Sequence, residues 1–365
     1  MGPMNKRIAI ACGGTGGHIH PALAVADRLR AEGAELSLIL SGTRQAEAPT
    51  AAAWQGPLLK SGARPIRDPR NLLAVLRCWC FLRRERPAVL FATGGYTSFA
   101  PVVAARMLKI PVVLHEANSL PGKAVRWLSR HLCVEAVATS FPESAAKLPW
   151  AKCVQTGLPL RQGVLDALAR AQAVEKAEGQ LTVLVTGGSQ GARGMNRLVA
   201  PILASLAQSD PKVRIIHQCG AADCEEMARV YAATPGQVTI APFLEDMGTA
   251  YGQADFVIAR AGAATCFEIA ACAVPAIFIP LPTAAEHHQH LNAQALVRSG
   301  GALLFDQITG EPHQLAEAIR QLYADPLLRK MMHQALADLP RPDAAGACAA
   351  LIWRTVKGPE LASLA

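Results

Sequence analysis

The sequence predicts an α/β protein built of two doubly wound parallel-sheet domains, and three observations predict it. The chain has 365 residues, 51% of them hydrophobic and 18% charged. Domains usually run to ~100–200 residues, so this length and composition suit two apolar cores. A glycine-rich turn follows an apolar run twice, about half the chain apart. Arg7–Cys12 enters Gly13-Gly14-Thr15-Gly16-Gly17, and Leu181–Val185 enters Thr186-Gly187-Gly188-Ser189-Gln190-Gly191-Ala192. Helix-like sequence follows each turn, Pro21–Arg30 and Met195–Gln208. Strand, glycine turn, helix is the opening of a nucleotide-binding α/β unit.

The other strands read as short, continuously apolar runs, as buried parallel strands do. They are Leu36–Leu40, Ala88–Ala92 and Val112–His115 in the first half. In the second half they are Val213–Gln218, Gln237–Ala241, Phe256–Ala259 and Ala276–Pro280. The stretch Gly157–Gly163, ahead of a polar run to Gly179, marks the junction. Residues 1–161 are expected to form the first domain and 162–342 the second. The tail Asp343–Ala365 is expected to return to the first as a helix.

Neither loop fits the commoner nucleotide motifs. Reading a dinucleotide fingerprint from Gly14 puts Ile19 at the last glycine, and the second strand ends in Ser41-Gly42-Thr43 without an acidic residue. Gly122-Lys123 is followed by Ala124, which rules out a Walker loop. Glycines at a strand–helix junction still let backbone N–H groups approach a diphosphate at a positive helix end. A tight turn that binds nothing has the same composition. A third element, Arg260-Ala261-Gly262-Ala263-Ala264-Thr265, follows the Phe256–Ala259 run, with Glu268 a turn further on. There a carboxylate either complements the helix dipole or accepts both hydroxyls of a ribose.

Composition narrows the partners. The net charge is +8 and the pI about 9.1, a balance suited to nucleic acid, acidic lipid or a phosphorylated substrate. Aromatic residues make up only 5% and no RNA or DNA motif occurs, so nucleic acid is not expected. The 10 cysteines lack zinc-like spacing and read as reduced cytosolic thiols. The opening MGPMNKRIAIACGG has too short an apolar run for a signal peptide, and no stretch reaches the ~20 apolar residues of a membrane span. Membrane contact is therefore expected to be peripheral.

Motifs spread over most of the chain carry a more specific resemblance. They are GGTGGHIHPALA (Gly13–Ala24), ATGGYTSFAPVVAA (Ala92–Ala105), HEANSLPG (His115–Gly122), TGLPLR (Thr156–Arg161), TGGSQGARGMN (Thr186–Asn196), HQCG (His217–Gly220), PFLEDM (Pro242–Met247) and ARAGAATCFEIAACAVPAIFIPLP (Ala259–Pro282). In this order they resemble the MurG family, transferases that add N-acetylglucosamine from its UDP carrier to lipid I, undecaprenyl-diphosphoryl-N-acetylmuramoyl-pentapeptide, to give lipid II in peptidoglycan synthesis.

The resemblance implies the GT-B architecture: two Rossmann-like domains facing a cleft, with the nucleotide sugar held mainly by the second. It implies that Thr15, Gly16 and Gly17 line the cleft and Asn118 reaches the sugar. Arg161 and Ser189 contact diphosphate or sugar. Leu244 offers its backbone to uracil, near Phe243 and Met247. The helix start at Ala263, Ala264 and Thr265, running on through Cys266 and Phe267, presents N–H groups to phosphate. Glu268 takes the ribose hydroxyls and Gln289 the sugar hydroxyls. It also implies peripheral attachment at the cytoplasmic face of the bacterial inner membrane. The chain departs from the family pattern at Leu158, Ala117 and Val125. It departs again in the stretch after Thr43 and in Glu286–His290, where His288 replaces the first of two usual glutamines.

The implied reaction inverts the anomeric carbon in one displacement. It needs a base for the acceptor hydroxyl and stabilisation of departing UDP. His18 is the first candidate base and Glu116 the second. No DxD pair is placed to hold a metal, and the histidines near His287 lack a second carboxylate or a cysteine, so no metal or other cofactor is expected. Amides and Arg161 are expected to carry the diphosphate charge. Two other classes remain open. One is another GT-B enzyme, such as a diacylglycerol glycosyltransferase or a UDP-sugar epimerase; the other is a nucleotide-sugar-binding membrane module without turnover.

An anionic membrane surface is the last expected partner. Lys60–Arg86 carries Lys60, Arg64, Arg67, Arg70, Arg77, Arg83, Arg84 and Arg86 against Asp68 and Glu85. Within it Leu72, Leu73, Leu76, Trp79 and Phe81–Leu82 fit the apolar side of one helix, and Trp127, Arg126 and Arg130 extend the patch. Apolar residues ringed by basic ones suit interfacial binding.

Overall fold

A computed structural model of the chain describes residues 5–41, 47–64, 68–161, 163–166, 179–188 and 191–357. The chain divides into two compact units, Met1–Arg161 with Pro342–Ala365, and Gln162–Arg341.

Among the described residues, the first unit holds a seven-stranded sheet. Its strands are β1 (Arg7–Cys12), β2 (Glu35–Leu40), β3 (Leu58–Lys60), β4 (Val89–Ala92), β5 (Val112–Glu116), β6 (Ala136–Thr139) and β7 (Cys153–Gln155). The order is β3-β2-β1-β4-β5-β6-β7, and every pairing is parallel. Alternate residues of β1 face opposite layers. Ile8, Ile10 and Cys12 pack with the helices Gly16–Ala31 and Ala344–Lys357. Ala9 and Ala11 pack on the other side with Asn71–Glu85, Phe99–Met107 and Lys123–His131. Both faces are covered, which is why these strands read as unbroken apolar runs. The C-terminal helix is fastened to the first by Arg28–Asp343 at 2.9 Å and by Trp353 Nε1 donating to Glu32 Oε2 at 2.7 Å.

The second unit repeats the plan with β8 (Leu181–Thr186), β9 (Val213–Gln218), β10 (Val238–Ala241), β11 (Phe256–Ala259), β12 (Ala276–Phe278) and β13 (Ala302–Leu304). Among the described residues they form a parallel sheet ordered β10-β9-β8-β11-β12-β13. Val183, Val185 and Ile258 pack against the helices Arg193–Ser209 and Pro312–Ala324. Each unit is thus Rossmann-like, as the fold class requires.

Strand order reverses beside β1 in the first unit, with β2 and β4 on either side, and beside β8 in the second, with β9 and β11. In open α/β sheets ligands bind outside the carboxyl ends of strands at such a switch point. Both glycine loops leave the sheet there.

Two expectations need correction. The first helix starts at Gly16 rather than Pro21, because His18 and Ile19 N–H groups already bond to Thr15 O at 3.0 and 3.1 Å. The apolar stretch on Asn71–Glu85 also divides. Ala74, Cys78, Phe81 and Leu82 recur at helical spacing and are buried in the core, whereas Leu72, Leu73 and Leu76 are 78%, 51% and 54% exposed. Phe81 and Leu82 therefore do not belong to the outer patch. Trp79 is half-buried with Arg83 over its ring at 5.0 Å, and Trp127 is 43% exposed. Arg67 lies outside the described residues. Among those residues no helix is long and apolar enough to cross a membrane.

Candidate active site

In the first unit the site grows from the end of β1. Gly14 takes φ +85°, a conformation that favours glycine, and its N–H donates to Glu47 Oε1 at 2.8 Å. Glu47 is buried, so a carboxylate of the protein itself holds this turn open. Thr15 then caps the helix in extended conformation, and Thr15 and Gly17 are exposed with Gly16 half-buried. His18 turns inward against the loop after β4. A Cβ on Gly95 (φ +71°) would stand 3.1 Å from His18 Nε2, so this close approach requires glycine. The His18 carbonyl accepts from Thr93 Oγ1 at 2.9 Å. His20 stands over Gly16, and burial, then the Arg161 charge, push its pKa down to about 4. Arg161 is therefore near the start of the same helix.

Glu116 ends β5 as a buried side chain. Its Oε1 accepts from Asn118 N at 2.9 Å and from Asn118 Nδ2 at 3.2 Å, and its Oε2 accepts from Gly122 N at 2.9 Å. Burial raises its pKa, opposed by these hydrogen bonds. It shapes the loop that carries Asn118. The adjacent His115 is buried at 3.2 Å from Ser140 Oγ, and desolvation lowers its pKa to about 4.

In the second unit the glycine loop leaves β8 beside β9. Thr186 Oγ1 donates to Gln218 Oε1 at 2.9 Å. Gly188 and Gly191 take φ +81° and +72°, and a Cβ on Gly191 would stand 2.1 Å from the Cys219 carbonyl oxygen. Only glycine fits there. Ser189 lies outside the described residues.

A buried network fixes the wall of this loop. Asn196 Nδ2 donates to Cys219 O and to Asp223 Oδ2, both at 2.8 Å, which leaves its Oδ1 as an acceptor. His217 Nε2, at 3.2 Å from that oxygen, is therefore the donor, and His217 Nδ1 accepts from the Tyr231 hydroxyl at 3.0 Å. Burial pushes the His217 pKa down to about 4, in keeping with this neutral tautomer.

Beside it, β11 ends at Arg260, whose Nη1 donates to the Ile279 and Pro280 carbonyls at 2.9 Å each. Burial lowers its pKa to about 10. The helix Ala263–Cys272 starts at once, with no side-chain cap and no acidic residue in its first turn. Ala263, Ala264 and Thr265 stand in that turn. The Cys266 N–H bonds to Gly262 O at 3.0 Å, and its side chain is buried. Phe267 and Glu268 are half-buried, and Glu268 Oε2 accepts from the buried Tyr251 hydroxyl at 3.2 Å. Leu244 is half-exposed in the loop after β10, next to exposed Phe243. Gln289 Oε1 accepts from Leu281 N at 2.8 Å, after β12. Glu286 and His287 both take left-handed φ, +52° and +55°, in the segment that departs from the family pattern.

The fold thus gathers His18, the Thr15–Gly17 turn and Arg161 at the first switch point. It gathers the second glycine loop, the Ala263–Thr265 helix start and Glu268 at the second. Sequence reasoning did not find Glu47, His115, the Asn196–His217–Tyr231 network or Tyr251. No group of three or more His, Cys, Asp or Glu side chains that could hold a metal ion occurs among the described residues.

Residues 8–137 match the glycosyltransferase family 28 N-terminal domain, and residues 182–346 match the family 28 C-terminal domain. A protein of Desulfotalea psychrophila is 35% identical, covering 98% of both chains. One of Xylella fastidiosa is 37% identical, covering 95% of both. Each is named UDP-N-acetylglucosamine–N-acetylmuramyl-(pentapeptide) pyrophosphoryl-undecaprenol N-acetylglucosamine transferase. The crystal structure of Acinetobacter baumannii MurG superposes with a TM-score of 0.76 at 32% identity, covering 95% of this chain and 99% of that one.

Proposed function

The chain belongs to glycosyltransferase family 28 and within it to the MurG family, and from that membership we infer that it transfers N-acetylglucosamine from UDP-N-acetylglucosamine to lipid I, forming lipid II. The observation that carries this reading is the match itself. It runs through both units and includes the loops at both switch points. Purified protein, UDP-N-acetylglucosamine and lipid I should yield UDP and lipid II. Product with diacylglycerol and none with lipid I would overturn the acceptor assignment.

The residues divide the work as follows. The Leu244 backbone meets uracil, and Glu268, steadied by Tyr251, accepts the ribose hydroxyls. The Ala263–Thr265 amides, the second glycine loop with Ser189, and Arg161 bear the diphosphate charge, which grows as UDP departs. Gln289 and Asn118 orient the sugar. His18 takes the proton of the acceptor hydroxyl as that oxygen attacks the anomeric carbon from the face opposite UDP. Glu116, with both oxygens already accepting hydrogen bonds, ranks behind His18 as a base and acts by holding Asn118.

The acceptor's lipid stays in the bilayer, so the enzyme works at the membrane surface, on the cytoplasmic side, where UDP-sugars are supplied. Exposed Leu72, Leu73 and Leu76, with Trp79, Trp127 and the surrounding arginines, support docking of the first unit on anionic lipid.

A further inference from the structure

The second unit contains a pair of thiols that the transfer reaction does not use. Cys219 follows β9, Cys224 begins the helix Cys224–Val230, and their Sγ atoms lie 3.4 Å apart. Both are free, Cys219 buried and Cys224 half-buried. The turn between them is built around Gly220, at φ +84°. Both sulfurs approach the Gly220 carbonyl, Cys219 at 3.5 Å and Cys224 at 3.4 Å. Contact between the sulfurs already exists, so a local adjustment of the turn that carries them would close the bond.

The pair is joined to the glycine loop by backbone packing. The Cys219 carbonyl is the atom against which Gly191 is packed, and it accepts from Asn196 Nδ2 at 2.8 Å. The Cys219 N–H bonds to Ala241 O at 3.0 Å. With no Cβ at Gly191 to act as a spacer, displacement of Cys219 is passed to the loop.

We propose that Cys219 and Cys224 form a reversible disulfide by exchange with a low-molecular-weight disulfide, and that closing it shifts the second glycine loop and weakens nucleotide binding. Cys224, the more accessible thiol, loses its proton and attacks one sulfur of the incoming disulfide. One small thiol leaves with that proton, and a mixed disulfide remains on Cys224. Cys219 then attacks the Cys224 sulfur, its proton passing to the second small thiol as that departs. Two protein thiols are oxidised to one disulfide, and one small disulfide is reduced to two thiols. The burial that raises the Cys219 pKa to about 12 makes the second attack the slower step.

The test uses the full-length protein in glutathione buffers of graded redox poise, followed by alkylation and peptide mapping. The expected result is a linked peptide containing both cysteines, removed by dithiothreitol. Cys224→Ser should lose it while keeping the thermal transition. Phenylarsine oxide, which bridges neighbouring thiols, should protect both from alkylation in the wild type only. A stable glutathione adduct on Cys224 without ring closure, or alkylation of both thiols in oxidised folded protein, would overturn the disulfide. The coupling to nucleotide rests on the proposed donor site. Calorimetry should show UDP affinity falling on oxidation, recovering on reduction, and unaffected by the same buffers in Cys224→Ser. A mapped disulfide with unchanged affinity would overturn the coupling. Absence of UDP binding by the reduced protein would instead count against the donor site, with the mapping arm standing by itself.

Discussion

Tyr251 donates its hydroxyl hydrogen to Glu268 Oε2 across 3.2 Å, from the helix Met247–Gln253 to the helix Ala263–Cys272. Tyr251 is buried, and desolvation, then the Glu268 charge, hold its pKa well above the usual value, so it remains a donor. Glu268→Ala should weaken UDP binding by about 1–3 kcal/mol, the loss of charge-assisted bonds to the ribose. Tyr251→Phe should weaken it by about 0.5–1.5 kcal/mol, through loss of one steadying hydrogen bond. Calorimetry with UDP decides both, and wild-type affinity in Glu268→Ala would remove the ribose assignment.

His18→Ala should lower turnover on lipid I about 10²–10⁴-fold with UDP affinity nearly intact. A variant with normal turnover would move the base role away from His18. Glu116→Gln, which keeps one acceptor oxygen, should disturb the Asn118 loop and raise KM more than it lowers kcat.

Vesicle sedimentation tests the docking surface. Binding should need anionic lipid, weaken with salt, and fall when Leu72, Leu73 and Leu76 become Ser. Phe81→Ser should instead destabilise the fold, because that ring is in the core. Lipid I turnover by a protein indifferent to vesicles at every salt concentration would exclude this surface.

Acid should unfold the two units through different histidines. His115 and His217 have folded pKa values of about 4, set by burial, against 6.5 for the free side chain. A depressed folded pKa gives stability that is present above the unfolded pKa and is lost as pH falls toward the folded one. Each histidine should therefore remove about 2 kcal/mol from its own unit between pH 7 and pH 5. All five tryptophans, Trp54, Trp79, Trp127, Trp150 and Trp353, belong to the first unit. Denaturant midpoints by tryptophan fluorescence thus report His115 together with His20, whose pKa is also about 4, and circular dichroism reports both units. His217→Gln should flatten only the second transition; an unchanged slope would mean that His217 is not the group protonated.

Most of the sheet interior was legible because it has a repeating cause, although the buried interior strand Ala136–Thr139, only four residues long, went unread. Strands such as Arg7–Cys12, Val213–Gln218 and Phe256–Ala259 are apolar throughout, and both their faces are covered. Leu58–Lys60, Cys153–Gln155 and Ala302–Leu304 went unread, since three residues at a sheet edge leave no periodic signal. The glycine loops were legible for a conformational reason, positive φ at Gly14, Gly188 and Gly191. Glu47 on Gly14, Tyr251 on Glu268 and His217 on Asn196 were not. Each pairing joins residues 17 to 33 positions apart, and nothing in the local pattern of an isolated Glu, Tyr or His announces its partner.

The helix Ala344–Lys357 places Cys348, Ala349, Leu351 and Ile352 in the same core as Ile8, Ile10 and Val25. The second unit is therefore an insertion in the first. During synthesis the first sheet is made early but remains uncovered along one strip until nearly the whole chain has left the ribosome. The inserted unit has all its strands and can close before its host does. A chain stopped after residue 341 would release a finished second unit tethered to an unfinished first one, with apolar sheet surface open to chaperones and to other nascent chains.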